Sequence, residues 1–330
     1  MAFSELPKVE LHLHLDCSLS FDVVRQLNPQ ISEEEYREQF IAPDKCRDLA
    51  DYISRSESAV ALMQDREALQ LVTKDLFTQL EADSVIYAEI RFAPLLHTRK
   101  DLSPEEVVNV VNKAVDEQAK ATGIEAGIIL CTLRHYSGDQ SMETAKLVEQ
   151  FSGSRVVGFD IAADEAGFPI DNHIPAFVYA NKQGLNCTAH AGEACGAESV
   201  WETIKHFNPS RIGHGVRSAE DDELLDYLRE HNIHLEVCPT SNVQTNVFET
   251  IHDHSIDMLY KKGISLSVNT DTRTISNVTL NEEYQTLSDI FAWDVDQLLR
   301  SNLEAVDHAF TDDTTKEKLR RVIREAYSNN

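Results

Sequence analysis

Four short apolar runs each end in side chains able to hold a metal ion: Val9-Glu10-Leu11-His12-Leu13-His14, Cys187-Thr188-Ala189-His190-Ala191-Gly192-Glu193, Arg211-Ile212-Gly213-His214-Gly215 and Leu266-Ser267-Val268-Asn269-Thr270-Asp271. Three or more histidines and a carboxylate, delivered from the ends of separate strands, describe a hydrolytic metal centre. Alternate side chains of a strand share a face, so His12 and His14 point the same way and can grip one ion. Imidazole nitrogens with one carboxylate oxygen suit zinc or a neighbouring first-row ion, not magnesium or calcium. With one position left open, such an ion lowers the pKa of water to about 7, so hydroxide is available in neutral solution.

Two further residues are placed for proton transfer. Glu193 lies three residues beyond His190, just past the strand. It can enter the pocket without ligating and protonate a ring nitrogen or a leaving group; its competing role is a first-turn acid of the next helix. His214 stands between two glycines, which let backbone and ring approach the reacting centre. It is placed to orient the attacking water or to accept its proton, with core packing as the alternative. A second His-x-His, His252 and His254 around Asp253, has no strand pattern and reads as a solvated loop or helix cap. The fourth strand runs through Gly158-Phe159-Asp160-Ile161-Ala162-Ala163-Asp164-Glu165 without a lysine to bridge two ions, so a single metal is expected. The His-x-Glu with Pro-Cys-x-x-Cys ligand plan of the zinc enzymes that act on flipped-out bases is absent.

These residues need a frame. Strand-like runs fall near 8–14, 85–93, 125–132, 156–162, 186–191, 211–215, 234–238 and 265–270, nearly continuous in Val, Ile and Leu, as parallel strands covered on both faces are. Amphipathic segments at 103–121, 141–150, 174–183, 197–206, 220–230 and 255–262 alternate with them. Ser103-Pro104-Glu105-Glu106 is a helix start, with a capping serine, proline at the first position and acids in the first turn. Eight strands alternating with helices predict a (β/α)8 TIM barrel, favoured over a doubly wound sheet because every candidate ligand falls at a strand's C-terminal end. Residues 18–84 are predicted to form extra helices inserted between the first and second strands, either as a lid over the mouth or as added packing. Roughly the final 35 residues are expected to be helices closing the barrel. The whole chain, 1–330, reads as one domain.

Composition excludes several partners. The net charge is −26, from 56 acidic and 30 basic residues, which repels phosphate backbones and anionic lipid and leaves a neutral small molecule unhindered. No apolar run is long enough to span a bilayer. Met1–Pro7 lacks a basic-then-apolar leader, so a cytoplasmic location is the expectation. No Gly-rich phosphate loop follows any strand. The six cysteines (17, 46, 131, 187, 195 and 238) have no Cys-x-x-Cys spacing and read as reduced thiols, Cys187 and Cys238 as core filler rather than ligands. Oligomeric state is not encoded in any of these patterns.

Leu6-Pro7-Lys8-Val9-Glu10-Leu11-His12-Leu13-His14-Leu15-Asp16, Ala189-His190-Ala191-Gly192-Glu193, Arg211-Ile212-Gly213-His214-Gly215, Leu235-Glu236-Val237-Cys238-Pro239-Thr240-Ser241-Asn242 and Ser267-Val268-Asn269-Thr270-Asp271 together resemble the adenosine deaminase family. The resemblance runs in order over nearly the whole chain. It implies a zinc-containing (β/α)8 barrel that hydrolyses the 6-amino group of adenosine, and of 2′-deoxyadenosine, to the 6-oxo product and ammonia. It further implies one Zn2+ per chain, held by His12, His14, His190 and Asp271. Glu193 would protonate purine N1, His214 would act on the attacking water, and Asp271 would share in its deprotonation. Substrate contacts would come from His14, from Asp16 to the sugar, from the Ala163 backbone N–H to N3, and from residue 272 to N7.

Three positions depart from the family pattern. Thr272 stands where many members carry a second aspartate, Ala163 where Ala-Gly-Asp-Glu has glycine, and Cys17 where glycine is common. All three are pocket changes, so the alternative substrates are adenine, an N6-modified adenosine and aminodeoxyfutalosine. A catalytically idle binding protein is disfavoured by the complete set of ligands and Glu193.

Overall fold

The computed structural model describes residues 3–328. Met1, Ala2, Asn329 and Asn330, on which the leader and C-terminal helix expectations partly fall, lie outside the described residues. Eight strands, β1 (Lys8–His14), β2 (Val85–Phe92), β3 (Glu125–Leu133), β4 (Val156–Ala162), β5 (Asn186–Ala191), β6 (Arg211–His214), β7 (His234–Val237) and β8 (Leu266–Val268), pair in sequence order. All seven pairings are parallel. The seam between β8 and β1 is closed by loop backbone. His14 N–H donates to Asp271 O at 2.8 Å and Asp271 N–H to His12 O at 3.0 Å. The Asn269 side chain completes it, its Oδ1 accepting from Leu11 N at 2.8 Å and His12 N at 3.1 Å. The barrel therefore closes through the residues that carry the candidate ligands.

The helices form where the sequence supplies caps and apolar stripes. Pro104–Thr122 begins with a reciprocal Ser103–Glu106 capping box and buries Val107, Val108, Val111 and Val115. Gly138–Gln150 starts earlier than the apolar pattern indicated, because Ser137 and Gln140 form another such box. The insert between β1 and β2 contains Phe21–Leu27, Glu33–Phe40, Leu49–Ile53, Ser56–Leu62 and Arg66–Ala82. Leu280–Phe291 precedes the two closing helices, Val295–His308 and Asp313–Tyr327, so the helical C-terminal region is longer than the expected 35 residues. Among the described residues, no helix is long and apolar enough to cross a membrane.

The barrel axis is charged rather than oily. Strand alternation turns Glu89 and Arg91 of β2 to one face. Fully buried Arg91 donates to Asp160 at 2.8 Å and to Glu236 at 2.6 Å; fully buried Arg211 donates to Glu236 at 2.7 Å and to Glu89 at 2.5 Å. Each charge is compensated, and removing one member of such a set costs about 3–5 kcal/mol.

Candidate metal centre and active site

The ends of four strands turn through the left-handed backbone region: Ala163 (φ 80°), Gly192 (67°), His214 (61°) and Asp271 (64°). For the three non-glycine residues this costs about 1–2 kcal/mol each, the kind of strain found where side chains are held for function. The turns aim their residues inward over the β1 histidines. His12, His190, His214 and Asp271 each offer a ligand atom within 4.8 Å of the others. His14 joins them, its Nε2 lying 3.3 Å from His190 Nε2 and 3.5 Å from Asp271 Oδ1. Gly213 makes room for this: a Cβ there would sit 3.0 Å from His12 Cε1 and 3.3 Å from His190 Cα.

Carboxylates stand behind two of the rings. His12 Nδ1 donates to Glu236 Oε2 at 2.9 Å, and His190 Nδ1 lies 3.1 Å from Asp160 Oδ2. With the proton on Nδ1, each Nε2 faces the cluster as a lone pair; buried His12 Nε2 has no hydrogen-bond partner. Burial drives the His14 pKa down to about 3 and also lowers that of His190, so both rings are neutral, as metal ligands must be. Burial pushes Asp271 up, but the surrounding histidines, His12 foremost, overcome it and hold it well below the carboxylate range. Ser241 Oγ donates to its Oδ2 at 2.7 Å. Neutral imidazoles, an unpartnered buried nitrogen and an ionised carboxylate form a donor set that fits a divalent first-row ion such as zinc.

Glu193 has the opposite character from Asp271. It is buried, and burial together with the charges of Asp271 and Glu165 holds its carboxyl well above the ordinary range, favouring the protonated acid. Its Oε2 lies 3.5 Å from His214 Nε2, and its Oε1 has no partner. Its backbone is fixed by Glu165, which accepts from the N–H groups of Gly192 (2.8 Å), Glu193 (3.0 Å) and Cys195 (2.9 Å). The next helix begins only at Ala197, so Glu193 is no first-turn acid. A cavity of about 640 Å³ opens over these groups, with Asp16, Ala163 and Thr272 in its lining and Leu49, Tyr52 and Val60 of the insert as its wall. A larger hollow of about 1070 Å³ lies at the other end of the barrel, beside Tyr87, Arg155 and Phe310 and away from the histidines.

The remaining sequence candidates take distinct places. Asp16 is buried at the cavity edge, accepting from Ala93 N at 3.3 Å with His97 Nε2 at 3.6 Å. The Thr272 hydroxyl is engaged by Tyr52, which also bonds Ser276 Oγ at 2.5 Å. Cys17, Cys187 and Cys238 are buried, free thiols. His252 is exposed; for His254, only 3% exposed with its ring on Phe248 at 4.5 Å, the solvated loop fails and the helix cap holds, since its Nδ1 accepts from the N–H of Ile256, the first residue of the helix Ile256–Lys261. Sequence reading also passed over Glu236, Asp160, Glu165, Ser241 and Asn242, which hold the cluster from behind. The first two had a visible signal: an acid inside an apolar strand, in Leu-Glu-Val and Phe-Asp-Ile.

An eight-stranded parallel barrel with histidines and an aspartate converging at its C-terminal mouth defines a barrel hydrolase. The family model for adenosine deaminase matches residues 7–326. The chain is 34% identical over 300 residues to a Clostridium acetobutylicum protein named adenosine deaminase, covering 89% of this chain and 90% of the relative. It is 33% identical over 330 residues to an Enterococcus faecalis protein of the same name, covering 98% and 97%. Among solved structures, adenine deaminase from Arthrobacter aurescens superposes with a TM-score of 0.90 at 24% identity, covering 97% of this chain and 98% of that one. A zinc-bound amidohydrolase from Burkholderia ambifaria gives 0.88 at 22%, covering 99% and 92%. The chain belongs to the adenosine deaminase family and is a hydrolytic deaminase.

Proposed function

We propose that this enzyme converts adenosine and 2′-deoxyadenosine to the 6-oxo nucleosides and ammonia, using one zinc ion per chain. The observation that carries this reading is Glu193: a buried, proton-holding acid with a free oxygen, facing an ionised Asp271 across a set of neutral imidazoles. His12, His14, His190 and Asp271 would hold the ion, which when bound supplies water acidic enough to attack carbon at neutral pH. Glu193 donates its proton to purine N1, which makes C6 electrophilic. His214 steadies the attacking oxygen while Asp271 accepts a proton from it. The new bond is C6–O and the broken bond is C6–N; N1 keeps the proton given by Glu193, one proton of water leaves with the departing ammonia, and the other restores the Glu193 acid.

Asp16 at the cavity edge favours a sugar-bearing substrate, and the Ala163 N–H, in the lining, would serve N3. The cavity volume is within the range of small-molecule sites. The protein acts in the cytoplasm, with residues 1–330 as one catalytic unit. The test is turnover of adenosine to inosine, followed by absorbance, with metal-analysed protein; no turnover by fully loaded enzyme overturns the reading. A second reading, a related 6-aminopurine, is favoured by one observation: the Thr272 hydroxyl is already engaged by Tyr52. Solved neighbours titled adenine deaminase and N6-mAMP deaminase support including those compounds in a substrate panel. Equal or faster turnover of any panel member replaces adenosine as the substrate.

A further inference from the structure

The His-x-His that has no part in the metal cluster leads back to it. His254 Nδ1 accepts a hydrogen bond from the Ile256 backbone N–H at 3.0 Å. A backbone N–H can only donate, so Nδ1 is bare and the neutral ring carries its proton on Nε2. Burial, which lowers the His254 pKa to about 3, keeps the ring neutral. His254 Nε2 lies 3.3 Å from Asn242 Oδ1 and therefore donates to it. That contact orients the fully buried Asn242 amide, whose Nδ2 then donates to His214 Nδ1 at 3.0 Å.

We propose that Asn242 and His254 are positioning residues that fix the His214 proton on Nε2, the nitrogen facing Glu193 and the cavity. Each link in the row from Ile256 N–H to His214 has one allowed direction, so the backbone dictates the tautomer three residues away. A protonated Nε2 cannot ligate a metal. His214 is thereby set apart from His12 and His190, although its ring lies with centroids 4.7 and 5.2 Å from theirs. A carboxylate behind a ring leaves a lone pair facing the centre; an amide N–H donated to a ring, as Asn242 Nδ2 is to His214, leaves an N–H there. His214 thus meets the attacking oxygen as a hydrogen-bond donor, and the acceptor for its proton must be Asp271.

The kinetic arm of the test rests on the deaminase reading; the spectroscopic arm does not. In zinc-loaded protein with 15N-labelled histidine, assigned by loss of signal in His214→Asn, long-range 1H–15N spectra should show His214 with bare Nδ1 and protonated Nε2. Asn242→Asp replaces the donor with an acceptor of the same shape. It should move the proton to Nδ1 and lower kcat roughly 100-fold, with KM and metal content little changed. His254→Phe keeps an aromatic ring but releases the amide, and should mix the two tautomers and lower kcat about tenfold. A proton on His214 Nδ1 in the unaltered protein, or an unchanged His214 spectrum in both variants, overturns the proposal. Correct tautomers without turnover of any aminopurine would leave it standing and refute the substrate reading instead.

Discussion

On the floor of the cavity His12, His190, His214 and Asp271 each have a buried polar partner behind them, whereas the wall from residues 49–60 sets the apolar Leu49, Ile53 and Val60 beside Tyr52, Ser54, Ser56 and Glu57. Glu236 and Asp160 brace imidazoles, Ser241 braces Asp271, and Glu165 gathers the backbone around Glu193. Floor and wall differ in what a substitution can reach. The floor is a hydrogen-bonded lattice in which one loss leaves another group stranded, so it admits one chemistry. Leu49, Ile53 and Val60 of the wall can meet a substrate only through shape, so they can change with modest effect on the rest of the molecule.

Substitutions should expose that asymmetry in a graded order. Glu193→Gln removes the proton donor without changing the shape, and turnover should fall at least ~100-fold while metal content, read by elemental analysis, stays constant. Glu236→Gln strikes behind the floor. Metal affinity should weaken about 10–100-fold by titration, and the melting temperature should fall, because Arg91 and Arg211 lose a buried counter-charge.

Glu283 gives the floor a pH signature. It accepts from Thr240 N–H at 3.0 Å, beneath the segment that carries Ser241 and Asn242, and burial lifts its pKa from the ordinary 4.5 to about 8. Between those values the folded chain retains a proton that the unfolded chain has released, so Glu283 erodes stability as pH rises through the window. Glu283→Gln should melt with the unaltered protein below about pH 4 and increasingly above it as pH approaches 8. Equal melting at both ends would show that Glu283 is not held protonated.

On the wall, Tyr52→Phe frees the Thr272 hydroxyl, and KM values across the aminopurine panel should shift by roughly 2–10-fold with kcat nearly constant. The smallest effect expected is that of Ala163→Gly. Relieving a methyl-bearing residue at φ 80° should leave stability level or raise it by under about 1 kcal/mol in thermal unfolding. A wall substitution that abolished kcat, or a floor substitution that altered only substrate preference, would erase the distinction.

Much of the frame was legible because parallel strands and capped helices advertise themselves locally. Val156–Ala162 and Asn186–Ala191 read as strands from their apolar continuity, and Pro104–Thr122 as a helix from its cap. The ligands were legible because strand ends share a barrel's mouth. Leu280–Phe291 was missed although Thr279 and Glu282 form a capping box, since its buried stripe is short and its neighbours are polar. The cap at His254 was legible, but its burial was not, for a deeper reason. Its burial depends on the chain turning back so that Phe248, and Asn242 of the helix Pro239–Gln244, cover it, and no local period records that. Asn242 was quoted within a motif but assigned no task, because an amide between two rings acquires its meaning only from which way each ring is protonated.

Arg91 reaches Asp160 through one nitrogen and Glu236 through the other, and those two acids stand behind His190 and His12. The guanidinium is flat and rigid, so the spacing between the two props is set by the dimensions of a single side chain instead of by the give of two loops. Remodelling of the entrance, by sequence drift or by design, can therefore proceed without loosening the grip below it. A lysine in place of Arg91 would keep the charge yet surrender the caliper.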